Sequence, residues 1–301
     1  MHKILKSGNL LKPVIGIILL LGSTLISYAQ LNATVFEDFT QTINNPYLIN
    51  PAATDTSYLF KIRINAIDEL GLIKYVNRFY VDMDKRIATA RRNSYHFVGM
   101  QALNSKIGQY IYRSRLQFRY SWYTQLSKGA ALSAGISLGF INYAFLTTQG
   151  GTGGSDFGPD GMLGIHYIRE NTTIGFAVQQ IFAPVLIPVS QSFKLNRLYN
   201  IDVSQRFRIA PQIRLTAYGV VQYQHAAQND FMYSLGLMSN ISEYVLVGIN
   251  NFSLKKTSFN FGVQHIRFYR TELSIMTTYS IYHSVFPTPN STLELFMALQ
   301  L

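Results

Sequence analysis

The sequence predicts an all-β protein, a transmembrane antiparallel β-barrel of about 14 strands (range about 12–14). Three observations carry that expectation. The first is alternation at period two. Between Gln109 and Thr124 the odd positions include Arg113, Arg115, Gln117, Arg119 and Ser121, whereas the even ones include Leu116, Phe118, Tyr120 and Trp122. Successive strand side chains point to opposite faces, so such a strand divides a wet side from a greasy one. The second is an export signal at the start of the chain. The third is composition: only 14% of residues are charged, against about 25% in ordinary soluble domains, and aromatics reach the same 14%. A soluble protein this poor in charge would expose large apolar patches. A barrel turns such a surface toward lipid and rims it with aromatic girdles. A β-sandwich would instead keep its outward face polar and its inward face apolar.

The segments follow in order. Residues 1–29 read as a signal peptide: Lys3, Lys6 and Lys12 form a positive region, an apolar run from Val14 to Ile26 follows, and Ser27-Tyr28-Ala29 offers a small-x-small cleavage site before Gln30. The run is short for a spanning helix, which needs roughly 20 residues. Loss of the three lysines takes the net charge from +11 to +8. The remaining basic excess is spread through strands rather than gathered in a tail, which argues against nucleic acid as a partner. There are no cysteines, so disulfides, zinc–thiolate sites and thiol nucleophiles are excluded. Residues 30–57 form an N-terminal segment, polar and aromatic with Pro46 and Pro51, that reads as folding at the barrel mouth.

Residues 58–301 read as the barrel. Strands are expected to start near Tyr58, Val76, Ser94, Gln109, Ala130, Gly161, Thr172, Leu195, Gln212, Asp230, Glu243, Thr257, Arg270 and Ser291. Phe60, Ile62 and Ile64 oppose Lys61, Arg63 and Asn65; Leu132, Ile136, Leu138 and Phe140 oppose Ser133, Gly135, Ser137 and Gly139. Ser94–Leu103 alternates poorly. Breakers separate the runs: the glycine-rich stretch Gln149–Gly161 as the longest flexible segment, Pro184 and Pro188, and Pro287 and Pro289.

No constellation for catalysis emerges, so no enzyme, cofactor or metal site is expected. Gly135-Ile-Ser137-Leu-Gly139 matches the nucleophile-elbow spacing but lies inside an alternating strand, without the strand-to-helix turn that the motif requires. None of the six histidines shows metal-ligand spacing; they read as single polar groups in lumen or rim. Asp156 and Asp160 are too few for a calcium loop and read as part of a flexible mouth loop. The strongest electrostatic feature is a set of lumen-side arginines: Arg63, Arg78, Arg113, Arg115, Arg119, Arg206, Arg208 and Arg214. Expected lumen carboxylates are fewer: Asp82, Asp202, Glu272 and Glu294. Two readings stand side by side. The arginines tie the interior together through hydrogen bonds to carboxylates and backbone carbonyls, or they favour anions or grip an acidic plug or partner segment.

Asn45-Pro46-Tyr47-Leu48-Ile49-Asn50-Pro51-Ala52-Ala53 resembles the double Asn-Pro hallmark of the PorP/SprF family of type IX secretion-associated outer-membrane proteins. Asn104-Ser105-Lys106-Ile107-Gly108, Leu132–Tyr143 and Gly158–Tyr167 resemble further family motifs in the same order. The chain departs from the pattern where Thr54-Asp55 follows Ala53, and where Leu301 stands in place of a closing aromatic. The resemblance implies a non-enzymatic barrel in the outer membrane of a diderm bacterium of the Bacteroidota. It would act in type IX secretion or gliding motility and assist a large secreted adhesin-type client together with components of the machine. For the hallmark itself (Asn45, Pro46, Asn50, Pro51, Ala52), turn chemistry at the barrel's periplasmic mouth and a direct partner site are the two readings. A channel or transporter for small or hydrophobic solutes is the alternative function.

Overall fold

The computed structural model describes residues 40–70, 76–88, 93–107, 110–146, 153–189, 192–224, 230–283 and 291–301. The signal segment, residues 30–39, Gln109, His225, Pro287 and Pro289 lie outside the described residues. The strands run β1 (Phe60–Leu70), β2 (Val76–Ala88), β3 (Ser94–Ile107), β4 (Ile111–Ser127), β5 (Ala130–Phe145), β6 (Gly154–Arg169), β7 (Thr172–Gln179), β8 (Val185–Leu186), β9 (Phe193–Lys194), β10 (Leu198–Ala210), β11 (Ile213–Gln224), β12 (Asp230–Ile241), β13 (Val245–Phe252), β14 (Lys256–Phe268), β15 (Thr271–Tyr282) and β16 (Ser291–Gln300).

Among the described residues, all of these except β8 and β9 close into one antiparallel barrel, each strand paired with its neighbours in sequence, and β7 with β10. Closure is made by β1 against β16, from Lys61↔Gln300 to Leu70↔Ser291, and the Leu301 carbonyl extends the seam by accepting from the Leu59 N–H at 2.9 Å. Closing a sheet leaves every interior backbone group paired, which is the condition for crossing hydrocarbon with strands. At one end the strands are joined by tight turns such as Lys128-Gly129 and Glu170-Asn171, where Gly129 and Glu170 adopt φ of 87° and 51°. The opposite end carries longer connections, the largest between β7 and β10. These are called the turn end and the loop end below.

The period-two reading holds residue by residue along β4. On β4, Arg113, Arg115, Gln117, Arg119 and Ser121 are buried in the lumen, while Leu116, Phe118, Tyr120 and Trp122 face outward. The outer wall is apolar around the circumference, with Phe79, Phe140, Ile165, Phe176, Ile201, Leu237, Ile249, Phe261 and Leu295 all exposed. That is the surface a bilayer covers.

One expectation is corrected. The glycine-rich stretch is not a loop up to Gly161: β6 already begins at Gly154, and Asp156 and Asp160 belong to a strand. β7 pairs only with the Met162–Arg169 half of β6. The other half is therefore an edge where Pro159, which has no N–H to donate, is tolerated. A Cβ on Gly158 would lie 2.9 Å from Pro184 Cβ and 3.0 Å from Leu186 Cδ2. The glycine is there because the β8–β9 hairpin lies against this edge. The hairpin packs Leu186 and Leu195 on Ile141 and Tyr143 of β5 near the loop end. His96 lies at the turn-end rim, on the outward face of β3, stacked on Tyr120 with ring centroids 5.7 Å apart.

The weakly alternating β3 is a full strand of 14 residues. Its inward positions include Phe97 and Leu103, both buried. Leu103 joins Leu48, Ile49, Ile67, Tyr80 and Val220 in an apolar cluster inside the barrel. The lumen is thus partly a protein core, and strands that face it lose the polar half of their alternation.

Candidate functional site: a plugged lumen with a polar cavity

The plug is the chain's own N-terminal segment. Asn45 precedes a 3-10 turn, Pro46–Leu48, with proline at its first position, where a missing N–H costs nothing. The Asn50 side chain folds back to accept from the Ala52 N–H at 2.9 Å, an Asx-type turn that suits the residue before proline. Each asparagine also reaches the wall: Asn45 Nδ2 donates to Asn65 Oδ1 at 3.1 Å, and Asn50 Nδ2 to the Ile165 carbonyl at 3.1 Å. Both asparagines are fully buried. A Cβ on Gly135 would lie 2.4 Å from the Pro51 carbonyl oxygen, and one on Gly164 would lie 2.1 Å from Asn50 Oδ1. The glycines of β5 and β6 form the cradle into which Asn50-Pro51 settles.

The segment goes deeper than the mouth position expected for it. Its hydrogen bonds run around the lumen wall. Gln179 of β7 donates to the Ile49 carbonyl at 3.3 Å, and Ser133 of β5 to the Ala52 carbonyl at 2.5 Å. On the other flank the Thr40 N–H donates to Glu294 of β16 at 2.9 Å, and Gln41 bonds Thr278 of β15. Burying a short loop in a lumen is tolerable only when its backbone polar groups are met in this way. Where the segment leaves the lumen, Asp55 pairs with Lys61 at 3.0 Å. Burial alone would raise the Asp55 carboxyl, but the Lys61 ammonium and the Ser57 backbone N–H together hold it below the usual carboxylate range.

The eight arginines divide into two groups. Arg63, Arg78, Arg113, Arg115 and Arg119 are buried. Arg63 pairs with Asp82, and with Asp84 at 2.7 Å; Arg119 pairs with the same two carboxylates at 2.9 and 3.5 Å. The Tyr47 ring lies between these guanidinium groups, 3.9 Å from Arg63 and 3.8 Å from Arg119. Arg115 lies 4.0 Å from Asp160, which also accepts from Gln117 at 2.7 Å. Arg78 and Arg113 also have interaction partners in their surroundings. Arg63 and Arg119 tie the plug to the wall through Tyr47, and Arg115 ties β4 to β6 through Asp160.

Arg206, Arg208 and Arg214 are different. They are exposed at the turn end on β10 and β11, where Arg208 stands directly opposite Arg214. Arg214 pairs with the exposed Glu243 at 2.5 Å. Beside them a cavity of about 550 Å³ separates the plug from the β10–β14 wall; His166, Arg206, Arg214, Tyr218, Asn240 and His265 contribute to its lining. Of the expected carboxylates, Asp82 and Glu294 serve the buried network. Asp202 lies 3.7 Å from His166, and Glu272 accepts from His265 at 2.8 Å and Arg267 at 2.9 Å. Ser137 lies inside β5, facing the lumen.

The sequence reading missed Asp84, Asp160 and Tyr47. Asp84 was legible, because it shares the face of Asp82 at period two. Asp160 was hidden by the glycines around it. Nothing local marks Tyr47 as the wedge between two cations.

With this geometry in place, the family match is decisive. The family described as "Type IX secretion system membrane protein PorP/SprF" matches residues 34–298. The chain belongs to the PorP/SprF family. It is an outer-membrane β-barrel of type IX secretion. No curated protein matches it in sequence. Solved structures share the fold. The Ralstonia pickettii toluene transporter TbuX is 12% identical, covering 83% of this chain and 91% of its own, with a TM-score of 0.54. The monoaromatic hydrocarbon channel CymD is 14% identical over 88% of this chain and 93% of its own, with a TM-score of 0.54. The Pseudomonas putida toluene transporter TodX is 9% identical over 89% and 95%, with a TM-score of 0.53. At these identities the likeness is one of architecture alone.

Proposed function

We infer that this barrel assists the secretion or surface anchoring of a large adhesin-type client in the type IX and gliding system of a member of the Bacteroidota, and does so by protein–protein contact rather than by conducting solutes. The observation that carries this reading is the filled lumen. The N-terminal segment and the buried arginine–carboxylate network take up lumen space that a through-channel would use, and the β8–β9 hairpin packs on the inward residues Ile141 and Tyr143 of β5. What such a barrel offers a partner is its two ends. Outer-membrane barrels place short turns toward the periplasm and longer loops outside. The loop end would then meet the client and the turn end the machine. The accessible arginines at the turn end, Arg206, Arg208 and Arg214, are the ones a partner can reach; the buried five are committed to the interior.

Deletion of the chromosomal gene, followed by proteomics of the cell surface and medium, tests this. A large secreted protein should leave the surface and either vanish or appear in the medium, and the intact gene should restore it. An unchanged surface proteome with a defect in solute uptake would overturn the reading in favour of transport.

A further inference from the structure

We propose that the lumen cavity beside β10–β14 is a binding site for an acidic peptide segment entering from the turn end. The cavity, about 550 Å³, falls within the range of small-ligand sites. Three of its polar groups have no hydrogen-bond partner among the described residues although they are more than nine-tenths buried: Tyr218 Oη and His166 Nδ1, in residues 7% exposed, and Thr42 Oγ1, in a residue 8% exposed. Asn240 Oδ1 is likewise unmatched. Together they line one wall after another of the same space. Buried polar groups are ordinarily satisfied, so this set marks a surface shaped for something that brings donors and acceptors with it.

The rim states the charge of that occupant. Arg208 faces Arg214 across the β10–β11 ladder, and Arg206 lies two residues away on the same face. Like charges directly opposite destabilise a sheet. Glu243 relieves only Arg214, while Asp202 lies further inside. Carboxylates brought by a ligand would complete the rim. The interior chemistry selects a peptide over a bare anion. Ile43, Ile49, Met238 and Leu246 supply apolar wall for side chains, and the unmatched hydroxyl, amide and imidazole groups suit a backbone of alternating N–H and C=O. The inference is independent of the adhesin reading, since any partner at the turn end could present such a segment.

Calorimetric titration of the full barrel in nanodiscs tests it. The probe is a hexapeptide alternating aspartate and leucine, used with a free and with an amidated C-terminus; the lysine–leucine counterpart is the control. The expected result is one-site binding of the acidic peptide and none of the control. Loss of affinity on amidation would assign the rim to a terminal carboxylate; equal affinity would assign it to side-chain carboxylates. The double variant Arg206→Glu with Arg208→Glu, both exposed and therefore safe for folding, should weaken binding by at least about tenfold, roughly 1.4 kcal/mol. Thr216→Trp, which fills the cavity from β11, should abolish it while the far-ultraviolet spectrum of the barrel is retained. Absence of binding, equal binding of acidic and basic peptides, or binding that survives Thr216→Trp would each overturn the proposal.

Discussion

The two halves of the lumen use the same residue type for opposite ends. Along β1–β6 the arginines are buried; Arg63, Arg115 and Arg119 are matched by Asp82, Asp84 and Asp160, and Arg63 and Arg119 stack on Tyr47 of the plug. Along β10–β11 they are exposed, crowded against one another, and border an open cavity. Arginine on a lumen face therefore has no fixed meaning. What decides is whether a carboxylate shares its layer and whether another part of the chain covers it. In the first half, desolvation has already been offset by ion pairs and hydrogen bonds, so the charges are structural. In the second, water still solvates the guanidinium groups, and they remain available.

That contrast can be broken at its strongest point. Asp82→Ala leaves Arg63 and Arg119 to share Asp84 alone in a buried layer; breaking a buried pair by removing one partner costs about 3–5 kcal/mol. Chemical unfolding in detergent should show a loss of that order, and a loss below about 1 kcal/mol would mean the network is solvated rather than sealed. The next effect addresses the plug. Gly135→Val places side-chain carbon where the Pro51 carbonyl sits, an overpacking expected to cost about 1–3 kcal/mol. Displaced plug should raise planar-bilayer conductance above that of the parent. Unchanged conductance with unchanged stability would show that the cradle yields easily.

The smaller effects sharpen the comparison. Asp55 has its carboxyl pKa depressed in the folded protein. The stabilisation it provides is therefore present above its unfolded pKa, near 4, and is lost as the pH falls through the lower folded value. Asp55→Asn should reduce stability at pH 7 by roughly 0.2–1 kcal/mol, as for a partly exposed pair. The gap between variant and parent should close in acid, and a gap that stays constant down to pH 3 would assign the effect to something other than charge. Smallest of all, Arg208→Gln should change stability by less than about 0.5 kcal/mol, since the side chain is exposed and faces another cation. A destabilisation above 2 kcal/mol would place Arg208 with the buried group and erase the distinction between the halves.

Much of the wall was legible because one physical rule governs it. A strand between lipid and lumen must alternate, and β4 does so from Ile111 to Trp122. The rule fails where its premise fails. Phe97 and Leu103 made β3 look irregular because part of the lumen is packed with protein rather than water. Gly154–Gly161 looked like a loop because glycine signals flexibility in isolation, whereas here it signals close approach by the β8–β9 hairpin. The lumen arginines were visible as a set, but their division into two groups was not. Pairing depends on which carboxylates fall in the same layer of a closed barrel, and Asp160 was assigned to the wrong kind of element.

By itself the sequence determined the class of fold, the faces of cleanly alternating strands such as β4, and the family, because these rest on local periodicity and on short motifs read in order. Only the tertiary structure decided that Asn45–Ala53 packs inside the barrel wall, that Arg63 and Arg119 hold its Tyr47, and that a polar cavity remains beside β10–β14. Those outcomes depend on how the closed wall and a segment far away in sequence divide one enclosed volume. Volume is a property of the assembled barrel, and no stretch of residues carries it alone.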